Sequence, residues 1–368
     1  MKIQFNDIKD PAINYNIIKQ KISKVVDKKN FILGNEVEIL ENKLSKFIKS
    51  KYTITVSSGT DALLISLLSL NLKKNSEVLT PAFSYISSAE VIIRAGLKPV
   101  FCDVESDTAL IDVDKLEKKI NKNTSCIIIV SLFGQIPNVD KLKKIRQKYK
   151  IPIIEDGAQS FGSKFKTHYS CAIFDIGCTS FFPTKPLGCF GDGGAIFTNN
   201  KKIYLRSKQI RQHGQKKKYY FDIQGLNARL DTIQAVVLIE KLKKLKSSIL
   251  RKRLISEKYK KLLKKNINIK FLILNKNCQS SYPLLNILVK NRDKLKNYLK
   301  QKKIPTIIYY PKALSDQKIF NEYKSKNNKM NNSRILAKRI ISLPFHLSLK
   351  DKQLRYITDC INNFYIKK

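Results

Sequence analysis

The sequence predicts an α/β fold: a large domain with a mainly parallel sheet flanked by helices, followed by a smaller C-terminal α/β domain. Short apolar runs alternate with amphipathic helical patterns through the first half of the chain, which is the rhythm of βαβ units. The length of 368 residues is also ample for a large buried core and more than one domain. We expect residues 1–250 to form an N-terminal arm and the large domain, and residues 251–368 to form the small domain.

The individual elements follow from the spacing of apolar residues. Val37, Leu40 and Leu44 recur at helical spacing, whereas short continuous apolar runs are typical of buried strands. The first half is predicted to contain strands at 52–56, 77–80, 98–103, 125–131 and 152–155, with helices at 61–70, 87–94 and 139–148. Later elements are predicted as strands at 180–182, 194–198 and 282–289, a long lysine-rich helix at 231–260, and helices at 292–302 and 332–341.

The net charge of +42 raises the question of a nucleic-acid partner. The lysines are spread over the whole length, on the outer faces of helical repeats, and no RNA- or DNA-binding motif accompanies them. Abundant Lys, Ile and Asn without any Trp is the composition expected from an A+T-rich genome. We therefore interpret the charge as compositional bias, and a nucleic-acid partner is not expected.

Composition also bears on location and on metal binding. No apolar run approaches the roughly 18 residues of a membrane span, and no signal peptide is evident. The seven cysteines are scattered and include no C-x-x-C pair, which argues against a disulfide framework and a zinc site. We expect a cytoplasmic protein with neither a metal nor a membrane partner, in which Cys178 and Cys189 are small buried residues.

The most informative segment is 180–194, where Lys185 stands between two apolar runs and is followed by a glycine-rich turn. Asp156 ends an apolar strand 29 residues earlier. A lysine with an upstream aspartate is what pyridoxal phosphate (PLP) chemistry requires. The amine forms a Schiff base with the cofactor aldehyde, and the carboxylate keeps the pyridine nitrogen protonated, so that the ring can accept electrons.

A second segment, Ser57-Ser-Gly59-Thr60, follows a predicted strand and opens an apolar helix. The free N–H groups and the dipole of a helix N-terminus favour a phosphate, and glycine allows close approach. A plain serine N-cap explains the same residues, so the local sequence leaves both interpretations open.

Six motifs, in order, resemble the sugar aminotransferases of the DegT/DnrJ/EryC1/StrS family, a branch of the aspartate-aminotransferase superfamily (PLP fold type I). The motifs are segments 57–62, 80–85, 99–103, 155–160, 180–194 and 225–234. The resemblance implies a PLP-dependent aminotransferase. Dehydratases of the same family carry histidine at the position of Lys185, so the lysine favours amino transfer over dehydration.

The resemblance also implies roles for individual residues. Gly59, Thr60 and Asp61 match the family's phosphate-binding turn, and Ser180 would add a further hydroxyl to the phosphate. In the same way, Tyr85 is expected to stack on the pyridine ring, Asp156 to hold its nitrogen, Gln159 to lie beside its 3-oxygen, and Lys185 to bind the aldehyde and move the proton.

A homodimer with shared sites is implied as well. Asn227 matches a family asparagine that reaches the phosphate of the neighbouring subunit, and Arg229 is a candidate for an anionic group of the substrate, with a plain salt bridge as the alternative. Tyr309 and Tyr310 occupy a position thought to face the nucleotide sugar from the partner chain, where the most similar subgroup has His-Tyr.

The lysine segment is most similar to enzymes that aminate UDP-2-acetamido-2-deoxy-3-keto-glucuronate for bacterial surface polysaccharide such as O-antigen. This implies a UDP-linked keto sugar as acceptor and L-glutamate as amino donor. Two alternatives stay open: a C4 aminotransferase acting on a UDP- or dTDP-4-keto sugar, and a non-catalytic PLP-binding regulator.

Overall fold

The computed structural model describes residues 2–324 and 329–366. Within these ranges the strands are β1 (Tyr52–Val56), β2 (Glu77–Pro81), β3 (Lys98–Cys102), β4 (Thr124–Val130), β5 (Ile153–Asp156), β6 (Lys164–Phe165), β7 (His168–Tyr169), β8 (Ile176–Ser180), β9 (Gly194–Thr198), β10 (Gln215–Lys217), β11 (Tyr220–Phe221), β12 (Ile269–Phe271), β13 (Cys278–Gln279), β14 (Leu285–Val289) and β15 (Ile340–Leu343). The α helices are α1 (Tyr15–Lys28), α2 (Asn35–Ile48), α3 (Gly59–Ser69), α4 (Ser87–Arg94), α5 (Val113–Glu117), α6 (Val139–Tyr149), α7 (Lys201–Arg211), α8 (Thr232–Leu242), α9 (Leu245–Leu263), α10 (Arg292–Gln301), α11 (Asn331–Arg339) and α12 (Asp351–Ile366).

The central sheet has seven strands in the order β1-β9-β8-β5-β4-β2-β3. All neighbours pair in parallel except β9, which is antiparallel to both β1 and β8. The predicted α/β fold with a mainly parallel sheet is therefore confirmed. Six strands end at the same edge, and loops at the carboxyl ends of such strands are where open α/β sheets bind ligands.

Both faces of this sheet are buried, as parallel sheets require. In β4, Cys126 and Ile128 pack with the apolar residues of α3, whereas Ile127 and Ile129 pack on the other face with Leu142 of α6. These side chains have no solvent exposure, and burying each isoleucine stabilises the fold by about 1.5–3 kcal/mol. The sheet is thus a rigid support for its carboxyl edge.

A second, antiparallel sheet of three strands lies in the C-terminal part, in the order β12-β14-β15. It packs with α9, α10 and α12 through a core that includes Tyr259, Leu295 and Ile357. The expected boundary after residue 250 falls inside α9, so the division into two domains at that point stays a prediction.

Two of the predicted helices differ from the structure. The expected continuous helix at 231–260 is broken between α8 and α9, because α8 buries Ala235 and Leu238 in the core of the large sheet while α9 buries Tyr259 under the small one. The expected helix at 332–341 ends at Arg339, because the chain from Ile340 pairs with β14 instead. The strand expected at 180–182 lies earlier, as β8, with Ser180 as its last residue.

Candidate active site

A cavity of about 510 Å³ opens at the carboxyl edge of the central sheet. It lies between the ends of the parallel strands and a roof made by Pro283, Leu284 and the 308–310 segment. The predicted site residues that line it are Gly59, Thr60, Tyr85, Asp156, Gln159, Ser180, Lys185, Tyr309 and Tyr310. Three predicted residues, Asp61, Asn227 and Arg229, are not part of this lining.

The first wall is the start of α3, directly after β1. Ser58 caps the helix by accepting a hydrogen bond from the Asp61 N–H at 3.0 Å. The Asp61 carboxylate accepts hydrogen bonds from Ser57 and Ser58, so it stabilises the turn, and it is not part of the cavity lining. The serine N-cap is therefore present, and it leaves the N–H groups of Gly59 and Thr60 at the helix start, where intrahelical acceptors are lacking.

Close packing joins this turn to the end of β8. A Cβ atom on Gly59 would lie 2.7 Å from the Ser180 Cβ, so only glycine lets these segments meet. Thr60 also brings its hydroxyl within 2.7 Å of the Ser87 hydroxyl. The backbone N–H groups at the helix start and the hydroxyls of Thr60, Ser87 and Ser180 thus surround a recess beside Gly59. This is the donor set that a phosphate needs.

Asp156 is the last residue of β5 and is 6% exposed. Burial raises the pKa of its carboxyl, although the Ala158 N–H, which donates to Oδ1 at 3.1 Å, and the nearby Lys185 charge act in the opposite direction. Burial raises the cost of an unpaired charge on this carboxyl, so a cation bound beside it is strongly stabilised. A protonated pyridine nitrogen is such a cation.

Lys185 sits in a tight loop after β8, closed by the hydrogen bond from its N–H to the Phe182 carbonyl at 2.9 Å. Gly188 is required there, since a Cβ atom would lie 2.3 Å from the Pro183 oxygen. Burial lowers the pKa of the Lys185 amine, while the Asp156 charge partly offsets this effect. A lysine that loses its proton more easily than usual is suited to act as a nucleophile and base.

Gln159 links the cavity floor to its roof. Its Oε1 accepts a hydrogen bond from the Phe133 N–H at 2.9 Å, and its Nε2 donates to the Tyr310 hydroxyl at 3.0 Å. The Tyr310 ring lies 6.2 Å from the ring of Tyr85, which is 57% exposed at the cavity mouth. Sequence reasoning missed the Gln159–Tyr310 bond, because nothing local relates residues 151 positions apart.

Tyr309 and Tyr310 were expected to face a sugar bound in the partner chain. In the structure both residues line the cavity of their own chain, where the burial of Tyr310 raises the pKa of its phenol. Their place in this cavity does not test the predicted contact with a sugar bound in the partner subunit, which stays a prediction.

The loop that carries Asn227 and Arg229 is fastened to the phosphate turn, because the Ser57 N–H donates to the Ala228 carbonyl at 3.1 Å. Asn227 is exposed and is not part of the cavity lining. Arg229 is half-buried, and its Nε has no hydrogen-bond partner within residues 2–324 and 329–366.

These features together fit PLP: a glycine-lined donor recess for the phosphate, a buried carboxyl for the ring nitrogen, and a lysine amine of lowered proton affinity. Fold and site thus define a PLP-dependent enzyme of the aminotransferase type. Residues 13–362 match the DegT/DnrJ/EryC1/StrS aminotransferase family, and the chain belongs to that family.

Individual relatives agree with this assignment. The chain is 37% identical to the UDP-2-acetamido-2-deoxy-3-oxo-D-glucuronate aminotransferase of Pseudomonas aeruginosa, over 98% of this chain and 100% of the relative. A DegT DnrJ EryC1 StrS aminotransferase from Brucella abortus superposes with a TM-score of 0.91 at 35% identity, covering 95% of each chain. A Bacillus subtilis protein solved with bound cofactor PMP superposes with a TM-score of 0.91 at 26% identity, covering 100% of this chain and 86% of that one.

The chain is thus a PLP-dependent aminotransferase of a family that acts on nucleotide sugars. Among the described residues no helix is long and apolar enough to cross a membrane. All seven cysteines are free and buried; for Cys178 and Cys189 burial is what the sequence predicted.

Proposed function

We propose that this enzyme transfers an amino group from L-glutamate to C3 of UDP-2-acetamido-2-deoxy-3-keto-glucuronate, giving the 3-amino sugar for a bacterial surface polysaccharide. The observation that carries the proposal is the end-to-end likeness to the Pseudomonas aeruginosa enzyme named for that substrate. The lysine segment at residues 180–194, which resembles that of 3-amino-forming enzymes, is consistent with this proposal.

In this proposal, different residues of the cavity bind different parts of the cofactor. The N–H groups at Gly59 and Thr60 and the hydroxyl of Ser180 would hold the phosphate, and Asp156 would hold the ring nitrogen. Gln159 would lie beside the 3-oxygen, with the Tyr85 ring against the pyridine face. When bound, PLP supplies an electron sink and carries the amino group between the two substrates.

Lys185 performs the proton transfers in this proposal. Its Nζ takes the proton from the α-carbon of the donor and later delivers a proton to C3 of the sugar. Both tasks need an amine that is unprotonated part of the time, and the lowered pKa of Lys185 serves this need. Pro283, Leu284 and Tyr310 cover the cavity and limit the access of water to the reacting carbon.

We further propose that the active unit is a homodimer in which Asn227 of the partner subunit reaches the phosphate. Asn227 is exposed and lies outside its own chain's cavity, so it is free to serve another. The β10–β11 hairpin next to its loop presents three consecutive exposed aromatic residues, Tyr219 (76%), Tyr220 (65%) and Phe221 (58%). Contiguous exposed aromatic surface is characteristic of a protein interface.

A complementation experiment tests the shared site. A Lys185→Ala chain and an Asn227→Asp chain should each be inactive alone, because one lacks the reactive amine and the other places a carboxylate against the phosphate. A heterodimer of the two should regain one working site, since one of its two cavities receives both intact residues. Activity should be measured on purified, differently tagged heterodimers, and verified heterodimers without activity would contradict sharing.

The substrate is tested by mass spectrometry of the products from three UDP-sugars: the 3-keto uronate, its neutral 6-hydroxyl analogue and a 4-keto sugar. We expect the 3-amino uronate to form fastest. Arg229 shares the loop of Asn227 outside its own chain's cavity, so in this proposal it reaches the sugar bound by the partner subunit. Arg229→Gln should slow the uronate alone by roughly 30- to 1000-fold, because a guanidinium pairs with a carboxylate through two charge-assisted bonds. The half-reaction with glutamate should be spared.

The alternatives predict different outcomes. Preferred amination of the 4-keto sugar would indicate the C4 enzyme, and faster turnover of the neutral analogue would overturn the uronate assignment. An equal loss on both 3-keto sugars in Arg229→Gln would exclude charge recognition by Arg229. A protein whose absorbance is unchanged by glutamate would favour the regulator.

A further inference from the structure

A second, smaller cavity lies behind Lys185, on the side away from the Asp156 wall. We call it the rear cavity. Its volume of about 70 Å³ is bounded by the N-terminal arm at 6–10, the lysine loop at 183–188, the facing sides of α8 and α9, and the His346–Leu347 segment. Asn6, Thr184 and Lys185 line both cavities, so the rear cavity borders the active site.

His346 is the unusual member of this lining. It is 5% exposed, yet neither ring nitrogen has a hydrogen-bond partner in the described part of the chain. The Gln4 backbone lies near enough to affect the ring's pKa, but not in hydrogen-bonding geometry. Native proteins rarely leave buried polar atoms unsatisfied, and ordered water in a small polar cavity is the usual partner.

The other titratable groups of the rear cavity are Asp7, Lys9, Asp10, Lys241 and Lys252. Three of them have partners: Asp7 accepts a hydrogen bond from the Lys9 N–H at 2.9 Å, Asp10 accepts one from Ser248 and pairs with Arg251 at 3.4 Å, and Lys241 donates to the Gly188 carbonyl at 2.7 Å. Burial lowers the pKa of Lys252 to about 8, with Asp10 acting in the opposite direction. Burial likewise lowers the pKa of His346, despite the opposing effect of Asp7, so the ring is neutral at neutral pH.

A neutral imidazole offers one N–H donor and one acceptor nitrogen. The cavity has room for about two waters, each of which occupies roughly 30 Å³ in the liquid. We propose that ordered water in the rear cavity joins the His346 ring to the Lys185 side chain, and that His346 is a positioning residue that controls how readily the lysine amine holds its proton. The inference rests on Lys185 being the reactive lysine of the proposed function.

The physical effect is solvation of the charged amine. Water held by His346 offsets part of the desolvation that lowers the pKa of Lys185. An apolar side chain at position 346 has no donor or acceptor to hold this water and would remove that solvation, so the amine would lose its proton at lower pH. A glutamine keeps a donor and an acceptor and should preserve the water.

The test measures the proton on Lys185 directly, in enzyme loaded with pyridoxamine phosphate so that the lysine amine is free. The enzyme is acetylated with acetic anhydride over a pH series, and the modified Lys185 peptide is quantified by mass spectrometry. In His346→Leu the midpoint should fall by about one pH unit, the size of shift that altered solvation produces. It should stay at the wild-type value in His346→Gln and in the control His168→Leu, whose histidine is exposed.

A second variant keeps the test decisive if His346→Leu does not fold. His346→Met also removes both ring nitrogens, with an apolar side chain of similar size, so its midpoint should fall as in the leucine variant. An unchanged midpoint in folded His346→Leu, equal shifts in the leucine and glutamine variants, or a high-resolution crystal structure without water beside the His346 ring would each overturn the inference. Borohydride reduction of the holoenzyme separates this from the proposed function, because labelling of another lysine would refute the role of Lys185 whatever the midpoint is.

Discussion

Replacement of Lys185 by alanine is expected to abolish turnover while the chain still folds. In the proposed function the lysine supplies both the covalent attachment of the cofactor and the base that moves the proton, and a positioned general acid–base alone contributes roughly 10²- to 10⁴-fold. We expect a loss at or beyond the upper end of that range in both half-reactions. The fold should survive, since burial lowers the pKa of this amine despite the opposing effect of Asp156, so the charged amine is on balance disfavoured in the folded chain.

The measurement is the change in visible absorbance when glutamate is added to purified enzyme. Wild type should be yellow and should bleach, whereas Lys185→Ala with added PLP should not respond. Lys243→Ala is a suitable control, because Lys243 is an exposed lysine paired with Glu240 at 2.7 Å and lies outside both cavities. Wild-type bleaching by Lys185→Ala, or borohydride labelling of a different lysine in wild type, would contradict the assignment.

The sequence predicted the strands of the large sheet well because their signals are local. β1, β4 and β9 are apolar runs at or within a residue of the expected bounds, and helix α4 begins and ends where expected. Elements held by distant partners were harder to predict. Ile340 and Ile341 continue a helical pattern, but pairing with Leu288 and Ile287 makes them a strand.

The same distinction applies to the site. Lys185, Asp156 and Gly59 are found from motifs, because a short loop or strand end fixes each of them. The roof is not found in this way, since the contact between Gln159 and Tyr310 depends on how the C-terminal part packs over the sheet. The ring of His346, which has no hydrogen-bond partner among the described residues, likewise has no sequence signal, because its burial results from the N-terminal arm and α9 meeting around it.

Asp156→Asn keeps the shape of this side chain and removes its charge, so it is expected to show what the charge contributes to the reaction. The amide fills the same space but cannot hold a cationic ring nitrogen. Removing one partner of a buried charge pair costs about 2–5 kcal/mol. At 1.36 kcal/mol per tenfold, we expect the glutamate half-reaction to slow by roughly 30- to 5000-fold. Stability of the apoenzyme should be equal or higher, because burial raises the pKa of this carboxyl and the amide removes the cost of burying its charge.

The adjacent carboxylate provides a matched control. Glu155 has no solvent exposure and accepts hydrogen bonds from Ser131 and Ser170, both at 2.6 Å, and from the Cys171 N–H at 2.9 Å. In Glu155→Gln an amide NH₂ faces one of these donors, which should lower the free energy of unfolding by about 1–3 kcal/mol. The half-reaction should change little, since Glu155 is not part of the cavity lining.

Denaturant unfolding of the apoenzymes and stopped-flow absorbance of the holoenzymes measure the two effects on the same pair of variants. The prediction is a crossed result, with Asp156→Asn slow but stable and Glu155→Gln fast but less stable. Similar losses of rate in both variants would mean that the strand end acts only by holding the local structure. The two variants should differ because neighbouring residues 155 and 156 point to opposite faces of the strand and only one of them reaches the cavity. A half-reaction at the wild-type rate in Asp156→Asn would show that the ring nitrogen needs no negative partner here.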